Sequence, residues 1–186
     1  MKKLLSLLLL TLFCPTLFAQ TDWPNVGNDK GALRYSPLRQ INRDNVKNLR
    51  VAWTYRTGDA GPENKTMIEC TPIVVNGVMY ITTAKVRVVA LDAATGRELW
   101  KFDPFVSVPT TNIYPAGNGV NRGVAYWSAG SAERIYFASR QYLYSLDAKT
   151  GKLATGFGTG GRVDLRAGLG RDPESLTITA TTPGVI

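Results

Sequence analysis

An internal repeat constrains the fold of this chain more than any other feature of its sequence. Residues 88–102 read VVALDAATGRELWKF, and residues 143–157 read LYSLDAKTGKLATGF. Both copies place an Asp-Ala-x-Thr-Gly turn after an apolar segment. In such a turn the Asp and Thr side chains can bond the nearby backbone, and the glycine tolerates a positive φ. A repeated unit of this kind is typical of folds built from a series of small, similar sheets.

Each copy of the repeat is predicted to form half of a four-stranded antiparallel sheet. Before the first copy, Asn76-Gly77 separates the apolar segments 73–75 and 78–82. This dipeptide is a strong signal for a two-residue hairpin. Residues 72–102 are therefore predicted to form one blade of a β-propeller.

The remaining strands follow from the same pattern. In the first blade the third strand is predicted to include Val86, and the fourth to span residues 97–102. The strands of the second blade are predicted near residues 124–128, 134–138, 142–146 and 152–157. The fold class is thus all-β, a propeller with about two blades, part of a third and an incomplete ring.

Three segments lie outside these two blades. Residues 49–56 resemble a separate strand of the kind that completes the last blade of a propeller. Residues 103–121 form a long insertion, and loops of that length are often functional. Residues 175–186 open a third unit, so the chain is expected to be the N-terminal piece of a longer propeller. A genuine two-blade sandwich is the alternative.

The N-terminus is predicted to be a targeting signal. Lys2 and Lys3 precede an apolar stretch at residues 4–13, and a cleavage site fits before Gln20. The domain division is therefore a signal peptide at 1–19 and a propeller part at 20–186, exported to the periplasm, with membrane association left open. A membrane span and a lipoprotein are the alternatives. Cleavage would leave one cysteine, so no internal disulfide is expected in the mature chain.

Composition excludes several kinds of chemistry. The chain contains no histidine, so it cannot by itself form a Ser-His-Asp triad or a histidine-ligated zinc site. The formal net charge is +8, but the basic residues are dispersed along the sequence. That distribution is compatible with an anionic ligand and argues against nucleic acid as a partner.

Several motifs together resemble one family. The repeat at residues 90–100 looks like the tryptophan-docking motif of quinoprotein propellers, with Trp100 packing on a neighbouring blade. The segments 22–38, 69–72 (Glu-Cys-Thr-Pro) and 121–127 (Asn-Arg-Gly-Val-Ala-Tyr-Trp) are similar to the front part of the dehydrogenases that use pyrroloquinoline quinone (PQQ). In the second repeat Thr155 replaces the tryptophan, which weakens the docking expected of that blade.

The resemblance implies a cofactor site. PQQ carries three carboxylates and an ortho-quinone, and an arginine fork binds a planar carboxylate better than lysine does. By resemblance, Arg122 pairs with a cofactor carboxylate, and Glu69 hydrogen-bonds the ring system. The hydroxyl that the family offers to the cofactor aligns at Ala180, between Thr179 and Thr181, and Thr181 is taken as the candidate. Gly123 would let the backbone come close to the cofactor.

Other candidate residues are given structural roles. Trp100 and Trp127 are predicted to belong to the core, and Tyr126 to the core or to the cofactor site. Cys70 is predicted to be a small buried hydrophobe. Residues 116–120 lack the adjacent cysteine pair of many alcohol-oxidising relatives, which favours sugar or polyol oxidation.

The function implied is that of a periplasmic PQQ-dependent dehydrogenase of alcohols, sugars or polyols. Its electron acceptor would be cytochrome c or a membrane quinone. The Ca²⁺ ligands and the catalytic carboxylate base are expected beyond residue 186, so no catalytic or metal-binding residue is assigned within the chain, which alone is expected to be inactive. The alternative is a non-enzymatic propeller that binds protein partners in outer-membrane assembly.

Overall fold

The described part of the chain consists of two four-stranded antiparallel sheets, each with its strands in sequence order. The structure is a computed structural model that describes residues 22–60, 66–106, 120–184 and 186. The first sheet contains β1 (Ile73–Val75), β2 (Val78–Thr82), β3 (Val88–Asp92) and β4 (Glu98–Phe102). The second contains β5 (Ala125–Ala129), β6 (Ala132–Ser139), β7 (Tyr142–Asp147) and β8 (Arg162–Asp164). These sheets are the two predicted blades.

Two predicted segments fall largely outside this description. The predicted signal peptide at 1–19 lies outside the described residues, as does most of the insertion at 103–121. Within the described residues, no helix has the length and apolar character needed to cross a membrane.

The predicted hairpin of the first blade is confirmed. Val75 pairs with Val78 across the turn, and both turn residues have a positive φ, 50° at Asn76 and 77° at Gly77. Positive φ at both central positions is the mark of the hairpin turn whose twist matches that of the strands.

The prediction that Val86 belongs to the third strand is wrong. The backbone N–H of Val86 donates to the Thr83 carbonyl at 2.8 Å, and the φ of Val86 is 57°. A left-handed residue cannot continue a ladder, so β3 begins at Val88. The residues from Val88 to Leu91 are all buried because neighbouring structure covers both faces of this strand.

The prediction of a fourth strand at residues 152–157 in the second blade is also wrong. Leu153 forms only an isolated bridge with Leu146. Glycines with positive φ at 158, 160 and 161 then turn the chain, and β8 forms later, where Leu143 pairs with Val163. In the first blade the chain passes from the repeat turn directly into β4. In the second blade an additional turn comes between the repeat turn and β8.

The core lies between the two sheets. Ile73, Val88 and Phe102 of the first sheet pack with residues of the second in one buried cluster. The ring of Phe102 lies 5.8 Å from Phe137 in an edge-on arrangement, and 6.0 Å from Tyr144. Burial of this shared apolar surface is the main force that holds the sheets together.

The tryptophan of β4 docks on the second sheet as predicted. The Trp100 Nε1–H donates to the Ala148 carbonyl at 2.9 Å. Its ring lies so close to Gly151 that a Cβ there would be 2.5 Å from Trp100 Cε3. The glycine of the repeat therefore serves the turn and also leaves space for the ring.

Trp53 makes the same contacts with the first sheet. Its Nε1–H donates to the Ala93 carbonyl at 3.2 Å, and a Cβ on Gly96 would lie 2.4 Å from Trp53 Cε3. Residues 49–56, predicted as a strand, form no strand in the structure. Trp53 nevertheless occupies the position, relative to the first sheet, that Trp100 occupies relative to the second.

Candidate functional site

The residue at the centre of the candidate site, Arg122, is held in place through its backbone. Its N–H donates to the Thr181 carbonyl at 2.8 Å, and its carbonyl accepts from the Thr71 N–H at 3.1 Å. Arg122 lies just before β5, Thr71 just before β1, and Thr181 after the second blade. Three separate segments therefore meet at this one residue.

Gly123 makes this close approach of backbones feasible. Its φ is 132°, and a Cβ at this position would lie 2.9 Å from the Thr71 carbonyl oxygen. A side chain would therefore push apart the segments that carry Arg122 and Glu69. The glycine predicted to allow close approach does so between two parts of the protein itself.

The structure brings together all three residues that the sequence predicts as cofactor contacts. Arg122 Nη2 lies 3.3 Å from Glu69 Oε2, and Arg122 Nη1 donates to Thr181 Oγ1 at 3.2 Å. The side chains of Arg122 and Glu69 are 51% and 31% exposed. A solvated ion pair of this kind contributes less than about 1 kcal/mol to stability, so the guanidinium remains accessible to an anionic ligand.

Cys70, next to Glu69, is a free and partly buried thiol behind the ion pair. Its Sγ accepts a hydrogen bond from the Thr82 backbone N–H at 3.1 Å. Burial raises the pKa of the thiol, and this effect exceeds the opposite effect of the hydrogen bonds with Thr82. Cys70 therefore remains a neutral thiol near pH 7, in an environment that does not activate it as a nucleophile.

Two further residues of the site were not predicted from the sequence. Asn121 and Thr82 are buried directly behind Arg122 and Cys70, and their side chains bond the backbone there. The spacing Asn121-x-Gly123 is a signal for a side chain that bonds the backbone two residues on, so it could have indicated Asn121. No local pattern distinguishes Thr82 from other strand threonines.

Three aromatic residues near the motifs, Trp100, Tyr126 and Trp127, have contacts outside the cluster around Arg122. Trp100 docks on Gly151. The ring of Tyr126 packs against the core, 6.4 Å from Tyr80. Trp127 is partly buried, and it pairs with Arg134 in the second sheet. None of the three contributes a hydrogen bond or an ion pair to the cluster around Arg122 among those described.

A second group of charges surrounds Arg87, in the turn before β3. Its Nη1 lies 2.8 Å from Asp59 Oδ1, and its Nε lies 2.9 Å from Asp103 Oδ2. Asp59 is 2% exposed and also accepts from the Lys85 N–H at 2.8 Å. Across the described ranges, no group of three or more His, Cys, Asp or Glu side chains could hold a metal ion.

Comparison with known proteins identifies the family. The family model described as the β-propeller domain of PQQ-dependent glucose, ethanol and alcohol dehydrogenases matches residues 23–186. The chain is 35% identical over 170 residues to quinoprotein glucose dehydrogenase A of Acinetobacter calcoaceticus, covering 80% of the chain and 21% of that protein. It is 45% identical over 135 residues to the dehydrogenase subunit of the quinone-dependent alcohol dehydrogenase of Gluconobacter oxydans, covering 71% of the chain and 16% of that subunit.

A solved structure agrees with these matches. The quinohemoprotein alcohol dehydrogenase of Comamonas testosteroni superimposes with a TM-score of 0.66 at 29% identity, over 89% of the chain and 22% of the solved structure. The chain thus spans about a fifth of the length of such relatives. By sequence and by fold, it belongs to the β-propeller family of PQQ-dependent glucose and alcohol dehydrogenases.

Proposed function

We propose that this chain provides part of the cofactor site of a PQQ-dependent oxidoreductase acting on alcohols, sugars or polyols. The observation that carries the proposal is the meeting of Glu69, Arg122 and Thr181, which come from three distant segments, in one partly exposed cluster. The names of the relatives, which are quinoproteins that oxidise glucose or alcohols, support it.

The donor set of the cluster suits PQQ. The Arg122 guanidinium offers a planar fork of N–H donors for a carboxylate of the cofactor. The Glu69 carboxylate can accept a hydrogen bond from a ring N–H, and the Thr181 hydroxyl can donate or accept. A group with several carboxylates and an N–H therefore finds complementary partners at this position.

Each residue of the cluster has a separate task in this proposal. Arg122 binds and orients the cofactor, and Glu69 accepts a hydrogen bond from its ring system. When bound, PQQ supplies the quinone that accepts two electrons from the substrate. We propose that the Ca²⁺ ligands and the carboxylate base come from sequence beyond residue 186, and that the protein works in the periplasm with cytochrome c or a membrane quinone as acceptor.

The scaffold function remains the second candidate. A scaffold that binds protein partners does not need a solvated cluster of Arg, Glu and Thr built from three segments. A cofactor site does need one, because a ligand with several polar groups must be met from several directions.

Binding of PQQ to the purified chain tests the proposal. We expect Arg122→Ala to weaken the affinity by about 10-fold to 100-fold, since a charge-assisted hydrogen bond contributes about 1.5–3 kcal/mol. Arg122→Lys retains the charge but lacks the fork of donors. Its affinity for PQQ should therefore lie between that of the wild-type chain and that of Arg122→Ala. The matched control is Arg134→Ala, because Arg134 also forms a partly exposed ion pair, at 3.4 Å from Asp147.

The proposal fails if Arg122→Ala binds PQQ as tightly as the wild-type chain does. It also fails if Arg134→Ala weakens binding to the same extent, because the loss would then reflect overall positive charge. Fluorescence titration at constant ionic strength gives the dissociation constant of PQQ for the wild-type chain and for each variant.

A further inference from the structure

A buried amide side chain, that of Asn121, immediately precedes Arg122 in the chain. Asn121 is 5% exposed. Its Nδ2 donates to the Ala138 carbonyl at 2.7 Å, and its Oδ1 accepts from the Gly123 N–H at 2.9 Å. Both ends of the amide are used, and the bonds connect the Arg122 segment to β6.

Thr82 connects the backbone of Asn121 to the segment that carries Glu69. It is the last residue of β2 and is fully buried. Its Oγ1 donates to the Asn121 carbonyl at 3.1 Å, and its backbone N–H donates to Cys70 Sγ, also at 3.1 Å. One buried residue thus bonds the immediate neighbours of Arg122 and of Glu69.

The exposed ion pair cannot determine this geometry by itself. Two solvated side chains joined at 3.3 Å gain too little free energy to hold two segments in register. Buried hydrogen bonds can, because breaking one leaves a desolvated polar group without a partner.

We infer that Asn121 and Thr82 are positioning residues that fix the spacing between Arg122 and Glu69. The inference rests on the proposed role of that pair in binding PQQ. Neither residue needs to touch the cofactor, because each acts through a neighbouring residue. Asn121 bonds the backbone of Gly123, and Thr82 bonds the Asn121 carbonyl and the Cys70 sulfur. Together they align the guanidinium and the carboxylate before the ligand arrives.

Two nearly isosteric substitutions separate this role from simple packing. Asn121→Asp replaces the donor that faces the Ala138 carbonyl by an acceptor, so two oxygens oppose each other. Thr82→Val retains the branched shape but removes the hydroxyl that reaches Asn121. The matched control is Tyr80→Phe, which removes another buried hydrogen bond to a carbonyl, that of Ala148 at 3.3 Å, outside the site.

The first readout is the dissociation constant of PQQ beside the urea midpoint of each variant. We expect Asn121→Asp and Thr82→Val to weaken PQQ binding about tenfold, as is typical when the partner that orients a ligand-binding group is lost. Tyr80→Phe should lower the urea midpoint but leave the dissociation constant within about twofold, because the Tyr80 hydroxyl bonds Ala148 and neither Asn121 nor Cys70. If Tyr80→Phe weakens binding as much as the other two do, the inference is overturned.

The second readout does not need the cofactor. In the wild-type chain, Glu69→Gln should shift the NMR signal of the Arg122 Nε–H, because the two side chains form an ion pair. In Asn121→Asp the same substitution should cause little shift, because the repulsion from the Ala138 carbonyl displaces the segment that carries Arg122. An unchanged shift would refute the positioning role.

The two readouts distinguish a failure of the proposed cofactor role from a failure of the positioning role. If the wild-type chain and Arg122→Ala bind PQQ equally, the cofactor role of the cluster fails. The NMR result still decides whether Asn121 and Thr82 align the pair.

Discussion

The contact between Gly151 and Trp100 leads to a quantitative prediction about the docking of the sheets. Gly151 has a φ of 68°, and a Cβ at this position would lie 2.5 Å from Trp100 Cε3. Gly77 is the matched control, because its φ is 77° and a Cβ there would meet nothing within 4 Å. Substitution by alanine therefore adds only backbone strain at Gly77. At Gly151 it adds backbone strain and a steric clash with Trp100.

The expected magnitudes follow from these two contributions. A left-handed conformation costs an ordinary residue about 1–2 kcal/mol, so Gly77→Ala should lower the free energy of unfolding by about that amount. Overpacking adds about 1–3 kcal/mol, so Gly151→Ala should cost about 2–5 kcal/mol. The ring of Trp100 cannot simply move away, because its Nε1 is bonded to Ala148 at 2.9 Å.

Urea unfolding followed by tryptophan fluorescence measures both changes. A double-mutant cycle with Trp100→Leu isolates the clash, since Gly151→Ala in that background should cost only as much as Gly77→Ala. The reasoning is refuted if Gly151→Ala costs no more than Gly77→Ala in the wild-type chain. It is also refuted if the additional cost persists after the ring has been removed.

Three further predictions concern single groups. Asp59→Asn should lower the free energy of unfolding by about 1.5–3 kcal/mol in urea, because it removes the charge of a buried carboxylate that is hydrogen-bonded to the partly exposed Arg87; a change below about 0.5 kcal/mol, typical of surface substitutions, would contradict this. Cys70 should react with iodoacetamide much more slowly in the native chain than in urea, since burial raises the pKa of its thiol, and equal rates in peptide mapping would disprove it. Hydrogen bonds from Arg166 hold the pKa of Asp164 below its usual value, so the stability this carboxylate provides is present above about pH 4 and is lost as the pH falls through the folded-state pKa. Asp164→Asn should therefore flatten the acid limb of the stability curve, and an unchanged limb would exclude this contribution.

The first blade could be predicted from the sequence because its signals are local. The hairpin at 76–77 and the turn at 92–96 each have a distinctive chemistry, and the structure contains both. In the turn, Asp92 Oδ1 accepts from the Thr95 N–H at 2.9 Å and from Thr95 Oγ1 at 2.8 Å. Hydrogen bonds from Thr95 accordingly lower the pKa of Asp92.

Two of the three wrong strand predictions have a common cause. Val86 and residues 152–157 are apolar enough for a strand, but each lies where the chain must turn. The turn around Val86 is closed by backbone bonds with Thr83, and the second error arises from glycines that follow the repeat. Apolar pattern alone does not show how many residues a turn takes before the next strand begins.

The candidate site was only partly accessible to sequence reasoning. Glu69, Arg122 and Thr181 could be named from a family resemblance, but their meeting depends on how the two sheets dock. Asn121 was part of the Asn-Arg-Gly motif but was given no role, although its spacing to Gly123 could have indicated one. Thr82 went unnoticed because a buried hydrogen bond between distant segments leaves no periodic trace in a sequence. Their roles become visible only in the structure, where their side chains donate to the backbone carbonyls of Ala138 and Asn121.

The docking of the tryptophans has a consequence for recombination between relatives. Trp100 belongs to one sheet by its backbone, but its binding surface at Ala148 and Gly151 belongs to the next. A crossover in the loop between the sheets would combine a tryptophan from one parent with a glycine turn from the other. A crossover at residues 97–99 would instead leave Gly96 with Trp53 and pass Trp100 on together with Gly151. The unit that can be exchanged intact therefore begins at a fourth strand and ends in the turn after the third strand of the following sheet.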